Sequence, residues 1–168
     1  DHQIESFLSR EEAFLFKNLL FLSAAFAILW GTIFPLVREA FTGQPIAVGP
    51  PFFNKVNIPI GLILLALTGI GPVIAWRRAT KKNLVRYFAI PVVLGLAVVG
   101  IFLALGARNG YALATFGLST FVLTVVSREF WKGARARARI EGEGFGPAVI
   151  HLVSRNRRRW GGYIVHVG

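Results

Sequence analysis

One histidine inside an apolar segment is the residue best suited to chemistry in this 168-residue chain. His166 lies near the end of the run GGYIVHVG (161–168), directly after an arginine cluster that ends at Trp160. Lys/Arg clusters are typical of the cytoplasmic end of a membrane helix, and Trp favours the headgroup level. Because a helix rises about 1.5 Å per residue, His166 is expected about 9 Å deeper than Trp160. An ionisable side chain at that depth in a hydrocarbon core is costly and usually functional.

Two interpretations of His166 follow from its chemistry. A neutral imidazole in lipid offers one donor and one acceptor, which could form a hydrogen bond to another helix worth about 1 kcal/mol. The alternative is axial ligation of a haem iron. Gly162 precedes His166 by four positions and shares its helix face, where it would leave a flat space for a porphyrin edge. Gly161 and Gly162 are otherwise unfavourable in a helix by about 1 kcal/mol each relative to Ala. The residues alone leave both interpretations open.

The rest of the chain offers little further chemistry. His2 lies in an acidic N-terminal connector, and His151 lies in a short apolar stretch, 147–153, that could form an amphipathic helix on the membrane surface. All eight Asp and Glu residues fall outside the apolar runs, whereas a proton- or cation-coupled carrier normally keeps an acid inside the membrane. The chain has no Cys, and it contains no Ser/His/Asp arrangement, Walker loop or dinucleotide fingerprint. We therefore assign no catalytic residue and expect no complete catalytic site.

Long apolar runs indicate a polytopic membrane protein. The chain is 54% hydrophobic with a mean hydropathy of +0.58, and a membrane-spanning helix needs about 20 apolar residues. We predict an all-α transmembrane helix bundle in a single membrane domain, with four spans and the start of a fifth. The predicted spans are approximately 19–37, 56–76, 88–107, 111–127 and the truncated 161–168.

The distribution of positive charge predicts the topology. The 19 Lys and Arg residues give a net charge of +11, and they are concentrated in alternate connecting segments. The positive-inside rule then puts 77–87 and 128–160 in the cytoplasm, with the Gly- and Pro-rich 38–55 as an external loop. Topology accounts for the charge, so the expected partner is the lipid bilayer, with no nucleic acid. Phe52 and Phe53 in the external loop are expected either to anchor it at the interface or to form a docking surface.

Two features indicate that the sequence is a fragment. It begins with Asp1 and contains no Met, and it ends at Gly168 inside an apolar segment. A fifth span would therefore be cut off by the end of the chain.

Four segments resemble the bacterial CcmF family of cytochrome c biogenesis proteins, in the family's order and with compatible spacing. They are ESFLSREEAFLFKNLL (5–20), GTIFPL (31–36), VGPPFFN (48–54) and RNRRRWGGYIVHVG (155–168). Together they cover the length of the chain, which resembles a middle-to-late portion of the family sequence.

The resemblance implies a multi-pass subunit of the haem lyase in the bacterial inner (plasma) membrane, which attaches haem to apocytochrome c. It implies a transmembrane haem b with His166 as one axial ligand to the iron and Gly162 beside it, the second axial ligand lying outside this chain. Implied partners are haem, the haem chaperone CcmE, and a CcmH-type partner that presents the apocytochrome c. The alternative that the residues leave open is a non-catalytic structural or transport subunit of another polytopic membrane complex.

Overall fold

The computed structural model describes residues 10–76, 81–142 and 144–165. These residues form helices joined by short connections, with no strand among them, which confirms the predicted all-α fold. In chain order the helices of this described part are α1 Arg10–Thr42, α2 Pro50–Trp76, α3 Lys81–Ala104, α4 Gly110–Glu141, α5 Phe145–Arg155 and α6 Arg157–Val165.

Four of these helices are long and apolar enough to cross a membrane, as the sequence predicts. The segments that qualify are Phe14–Thr42, Pro50–Gly71, Leu84–Ala104 and Gly110–Glu141. The helices extend beyond the predicted spans because charged residues mark the edge of a bilayer and do not end a helix. The predicted fifth span corresponds in the described part only to the second half of α6.

The chain divides into two compact units, with the boundary between Arg78 and Ala79. Each unit is described by itself. The single membrane domain, and the sides of the membrane on which the loops lie, stay predictions.

In the first unit, α1 and α2 form a hairpin around a contact between a glycine and two aromatic rings. A Cβ built on Gly31 of α1 would lie 2.7 Å from Phe52 Cε1 and 2.9 Å from Phe53 Cε1. The two rings meet edge to face, with centroids 5.4 Å apart. These phenylalanines, predicted to face the membrane surface or a partner, therefore pack against the neighbouring helix of their own unit, although Phe52 stays 36% exposed.

The connection between α1 and α2 is shorter than the predicted external loop 38–55. Helix α1 continues to Thr42 and α2 begins at Pro50, which leaves 43–49 as the irregular part. Gly43 has φ 63° and its N–H donates to the Glu39 carbonyl at 2.8 Å, which ends α1 in the left-handed conformation that glycine favours. Pro50 fits the first position of α2 because that position has no intrahelical N–H bond to lose.

In the second unit, α3 and α4 pack closely through small residues. A Cβ built on Gly95 would lie 2.8 Å from the Gly117 carbonyl oxygen, so the two backbones could not approach as they do with any larger residue. Aromatic pairs lie on both sides of this crossing. Phe88 stacks on Phe121 with centroids 5.7 Å apart, and Phe102 stacks on Phe116 at 4.6 Å.

Helix α4 continues well past the predicted span that ends at residue 127. It runs to Glu141 and ends at Gly142, which has φ 66°. Helix α5 then folds back and packs on α4, and Ala134 and Ala148, one on each helix, are both 0% exposed. The predicted cytoplasmic segment 128–160 is therefore mostly ordered helix in its described residues.

Candidate functional site

The candidate ligand His166 lies outside the described residues, so its side chain has no described contacts. Helix α6, Arg157–Val165, is the element that leads directly to it. The contacts that position α6 therefore restrict where the candidate site can form. His2 also lies outside the described residues.

Trp160 anchors α6 on α4. Its side chain is only 4% exposed, and its location at the headgroup level stays a prediction. A Cβ built on Gly133 of α4 would lie 2.8 Å from Trp160 Cη2 and 3.0 Å from Leu152 Cδ2 of α5. The indole therefore fills the space that the missing Gly133 side chain leaves between the helices.

A cluster of three aromatic rings surrounds this anchor. The Phe130 ring on α4 has its centroid 4.8 Å from that of Trp160 and 6.1 Å from that of Tyr163. The Trp160 and Tyr163 centroids are 5.7 Å apart, and Tyr163 is 6% exposed. Aromatic pairs at these separations are each worth about 1 kcal/mol beyond their burial. The cluster fixes the rotation of α6 about its own axis.

The two glycines of α6 have open space beside them. A Cβ built on Gly161 or on Gly162 would have no neighbouring atom within 4 Å among the described residues. Neither glycine is needed for close packing there, in contrast to Gly133. The role of Gly162 in giving clearance to a porphyrin edge stays a prediction.

An apolar groove lies beside the aromatic cluster. It has a volume of about 580 Å³, and its walls include Phe130, Trp131, Phe145, Tyr163 and Ile164. Trp131 and Phe145 close one side, with ring centroids 4.8 Å apart. The groove offers contacts to apolar groups and holds no arrangement of acid, base and nucleophile among its described walls.

A polar cluster joins α3 to α4 at the basic end of the hairpin. The Tyr87 hydroxyl donates to Glu129 Oε1 at 2.7 Å, and Arg128 donates from Nη1 to the Tyr87 carbonyl at 2.9 Å. Lys132 Nζ lies 4.3 Å from the centroid of the Tyr87 ring. Tyr87 is 5% exposed, so it forms a joint between the two helices.

His151 stands apart from these clusters. It lies on the exposed side of α5, the amphipathic helix that the sequence allows around 147–153, and its carbonyl accepts from Ser154 Oγ at 3.1 Å. Among the described residues, no group of three or more His, Cys, Asp or Glu side chains could hold a metal ion.

Sequence reasoning missed the Gly133–Trp160 and Tyr87–Glu129 contacts because both join residues far apart in the chain. The available signals were two residues, Gly133 and Glu129, which are unusual in an otherwise basic helical segment. Neither signal identifies its partner.

Comparison with known proteins gives consistent results over most of the chain. The chain is 35% identical to the cytochrome c-type biogenesis protein CcmF of Pseudomonas fluorescens over 162 residues, which is 95% of the chain's own length. It is 35% identical over 130 residues to the biogenesis protein ccl1 of Rhodobacter capsulatus and 36% identical over 119 residues to CycK of Rhizobium meliloti, covering 77% and 71% of this chain. No family model matches, and no solved structure matches.

The chain spans only part of these relatives. It covers 23% of the Pseudomonas fluorescens protein, 20% of the Rhodobacter capsulatus protein and 18% of the Rhizobium meliloti protein. Together with the four apolar helices, the matches identify a multi-pass membrane protein. Over the portion that it spans, the chain belongs to the CcmF family of cytochrome c-type biogenesis proteins.

Proposed function

We propose that this chain is the part of a cytochrome c maturation protein that holds a transmembrane haem b, with His166 as one axial ligand. Membership of the family supports a role in maturation, since the relatives are named cytochrome c-type biogenesis proteins. Because the chain is under a quarter of the length of each of these relatives, the second axial ligand would come from another part of the same protein.

The observation that carries the proposal is the open space at Gly162 on a helix that is otherwise firmly held. Trp160 and Tyr163 are buried against α4, while a Cβ on Gly162 would meet no described atom within 4 Å. A continued helix would bring residue 166 one turn above Gly162 on the same face. This open space supports the proposal that a flat macrocycle would lie beside α6.

Each of the residues has a separate task in this proposal. A bound haem would supply one-electron redox chemistry, with a potential set by its axial ligands and by the burial of the iron. The His166 imidazole would bind the iron, and Gly162 would keep the approach to it clear. The Phe130, Trp160 and Tyr163 rings would hold α6 in a fixed orientation, as a ligand-bearing element requires.

The same proposal extends to the complete protein by family resemblance. It would act in the bacterial inner membrane as part of the haem lyase that attaches haem to apocytochrome c. The haem chaperone CcmE would deliver the substrate haem, and a CcmH-type partner would present the apocytochrome c.

A pair of substitutions in the full-length protein tests the proposal. Gly162→Leu places a side chain on the His166 face, whereas Gly161→Leu adds the same group about 100° around the helix. We expect Gly162→Leu to lose most of the haem per protein, measured by a pyridine haemochrome assay, and Gly161→Leu to retain it. Equal haem content in the two variants would contradict the proposal, and so would the absence of haem from the unmodified protein.

A further inference from the structure

A second groove runs along one face of α4. It has a volume of about 640 Å³ and extends from Thr120 through Thr124 and Arg128 to Lys132. Its lining residues recur at intervals of three and four positions, the spacing of neighbours on one helix face. From Thr120 to Lys132 the helix rises about 18 Å. That length is close to the depth of one leaflet, since a bilayer core is about 30 Å thick.

One end of this α4 groove is basic and held rigidly. Arg128 is half-buried and uses one of its five N–H donors for the Tyr87 carbonyl, at 2.9 Å. Lys132 Nζ lies 4.3 Å from the centroid of the Tyr87 ring. The neighbouring carboxylate of Glu129 accepts from the Tyr87 hydroxyl at 2.7 Å. Two cations are thus positioned at the end of the groove by contacts with the same tyrosine.

The other end of the α4 groove is apolar. Leu123 lines this end and is 46% exposed, and Trp131, which lies beside the cations, adds a second apolar surface that is 56% exposed. The hydroxyls of Thr120 and Thr124 donate to the carbonyls of Phe116 and Thr120 at 2.8 and 2.7 Å. They therefore need no polar partner in the groove, which suits a hydrocarbon chain.

We propose that this groove is a binding site for one anionic phospholipid of the surrounding bilayer. The phosphate lies between Arg128 and Lys132, and an acyl chain follows α4 past Leu123 and Thr124. Charge selects the occupant: basic pockets at helix ends bind anionic headgroups, and each Lys or Arg near an anionic surface strengthens binding about fivefold. The contacts that both cations make with Tyr87 reduce the ordering cost of binding.

The test uses full-length protein in detergent and native mass spectrometry to measure bound phosphatidylglycerol against phosphatidylcholine. We expect preferential retention of phosphatidylglycerol. Arg128→Gln with Lys132→Gln should weaken that binding about twenty-five-fold, the product of two fivefold losses. Arg135→Gln with Arg139→Gln is the matched control, because it removes the same charge from exposed positions of α4 outside the groove.

A second variant tests the acyl part without changing charge. Thr124→Trp fills the groove and should reduce phosphatidylglycerol binding while both cations remain, and thermal unfolding checks that each variant is folded. Inorganic phosphate at millimolar concentration should not displace the lipid. Equal retention of the two lipids would overturn the proposal. So would an equal loss of phosphatidylglycerol binding in the two double variants. The proposal would also be overturned if phosphate displaced the lipid and Thr124→Trp bound phosphatidylglycerol as well as the unmodified protein does. That result would mean that the two cations bind a soluble phosphate instead.

Discussion

The Trp160 indole lies over Gly133, where a Cβ would come within 2.8 Å of the Trp160 Cη2 atom. This contact joins α6 to α4 and explains why a tryptophan next to an arginine cluster is 4% exposed. Since α6 leads to His166, the same contact bears on the position of the candidate haem ligand.

Gly133→Ala should destabilise the α4–α6 junction. The added methyl group would overlap the buried indole, and overpacking of this kind costs about 1–3 kcal/mol. Thermal unfolding of the full-length protein should show a lower midpoint together with reduced haem content. Gly146→Ala is the control, because a Cβ there meets no described atom within 4 Å. Equal midpoints for the two variants would show that the indole can move aside.

Gly95→Ala should destabilise the α3–α4 hairpin, because no change of side-chain rotamer can relieve the clash that the added methyl group makes. Its Cβ would lie 2.8 Å from the Gly117 carbonyl oxygen, which is backbone and cannot rotate away. The helices would have to separate, at a cost of about 1–3 kcal/mol. Gly100 lies on the same helix with open space beside it. Gly100→Ala should leave the denaturant concentration at the unfolding midpoint unchanged or raise it slightly, because Ala favours helix. A Gly95→Ala variant as stable as Gly100→Ala would contradict the close crossing.

Tyr87→Phe should loosen the polar joint between α3 and α4. It removes the hydroxyl that donates to Glu129 at 2.7 Å, and a hydrogen bond to a charged group contributes about 1.5 kcal/mol. Because Glu129 is partly exposed to solvent, we expect the free energy of unfolding to fall by no more than that amount. Denaturant unfolding in detergent measures it. Tyr111→Phe is the matched control, since Tyr111 is 47% exposed. The contact would be unimportant if both variants unfolded at the same denaturant concentration.

The helices were predictable from sequence because uncharged apolar runs of about 20 residues have few alternatives to a membrane-spanning helix. Their ends were less predictable. Arg38 lies within α1 and Lys55 within α2, because a charged side chain at the membrane edge does not interrupt helical hydrogen bonds. Helices α1 and α4 instead end at glycines with positive φ, Gly43 at 63° and Gly142 at 66°.

The candidate site was predictable only in part. The space beside Gly162 is open among the described residues, but a haem edge there stays a prediction, and the burial of Trp160 between helices was not predicted. Composition and spacing report the environment of a segment. They do not report contacts between residues such as Gly133 and Trp160, which depend on how α5 and α6 fold back on α4.

The identity of the axial ligand is the central claim, and the low-temperature optical and electron paramagnetic resonance spectra of the full-length protein test it most directly. We predict a low-spin bis-imidazole haem that His166→Gly converts to a high-spin form or loses, and that added imidazole restores. His151→Gly, a histidine on the exposed side of α5, should leave the spectra unchanged. An unaltered low-spin spectrum in the His166→Gly protein would contradict the account.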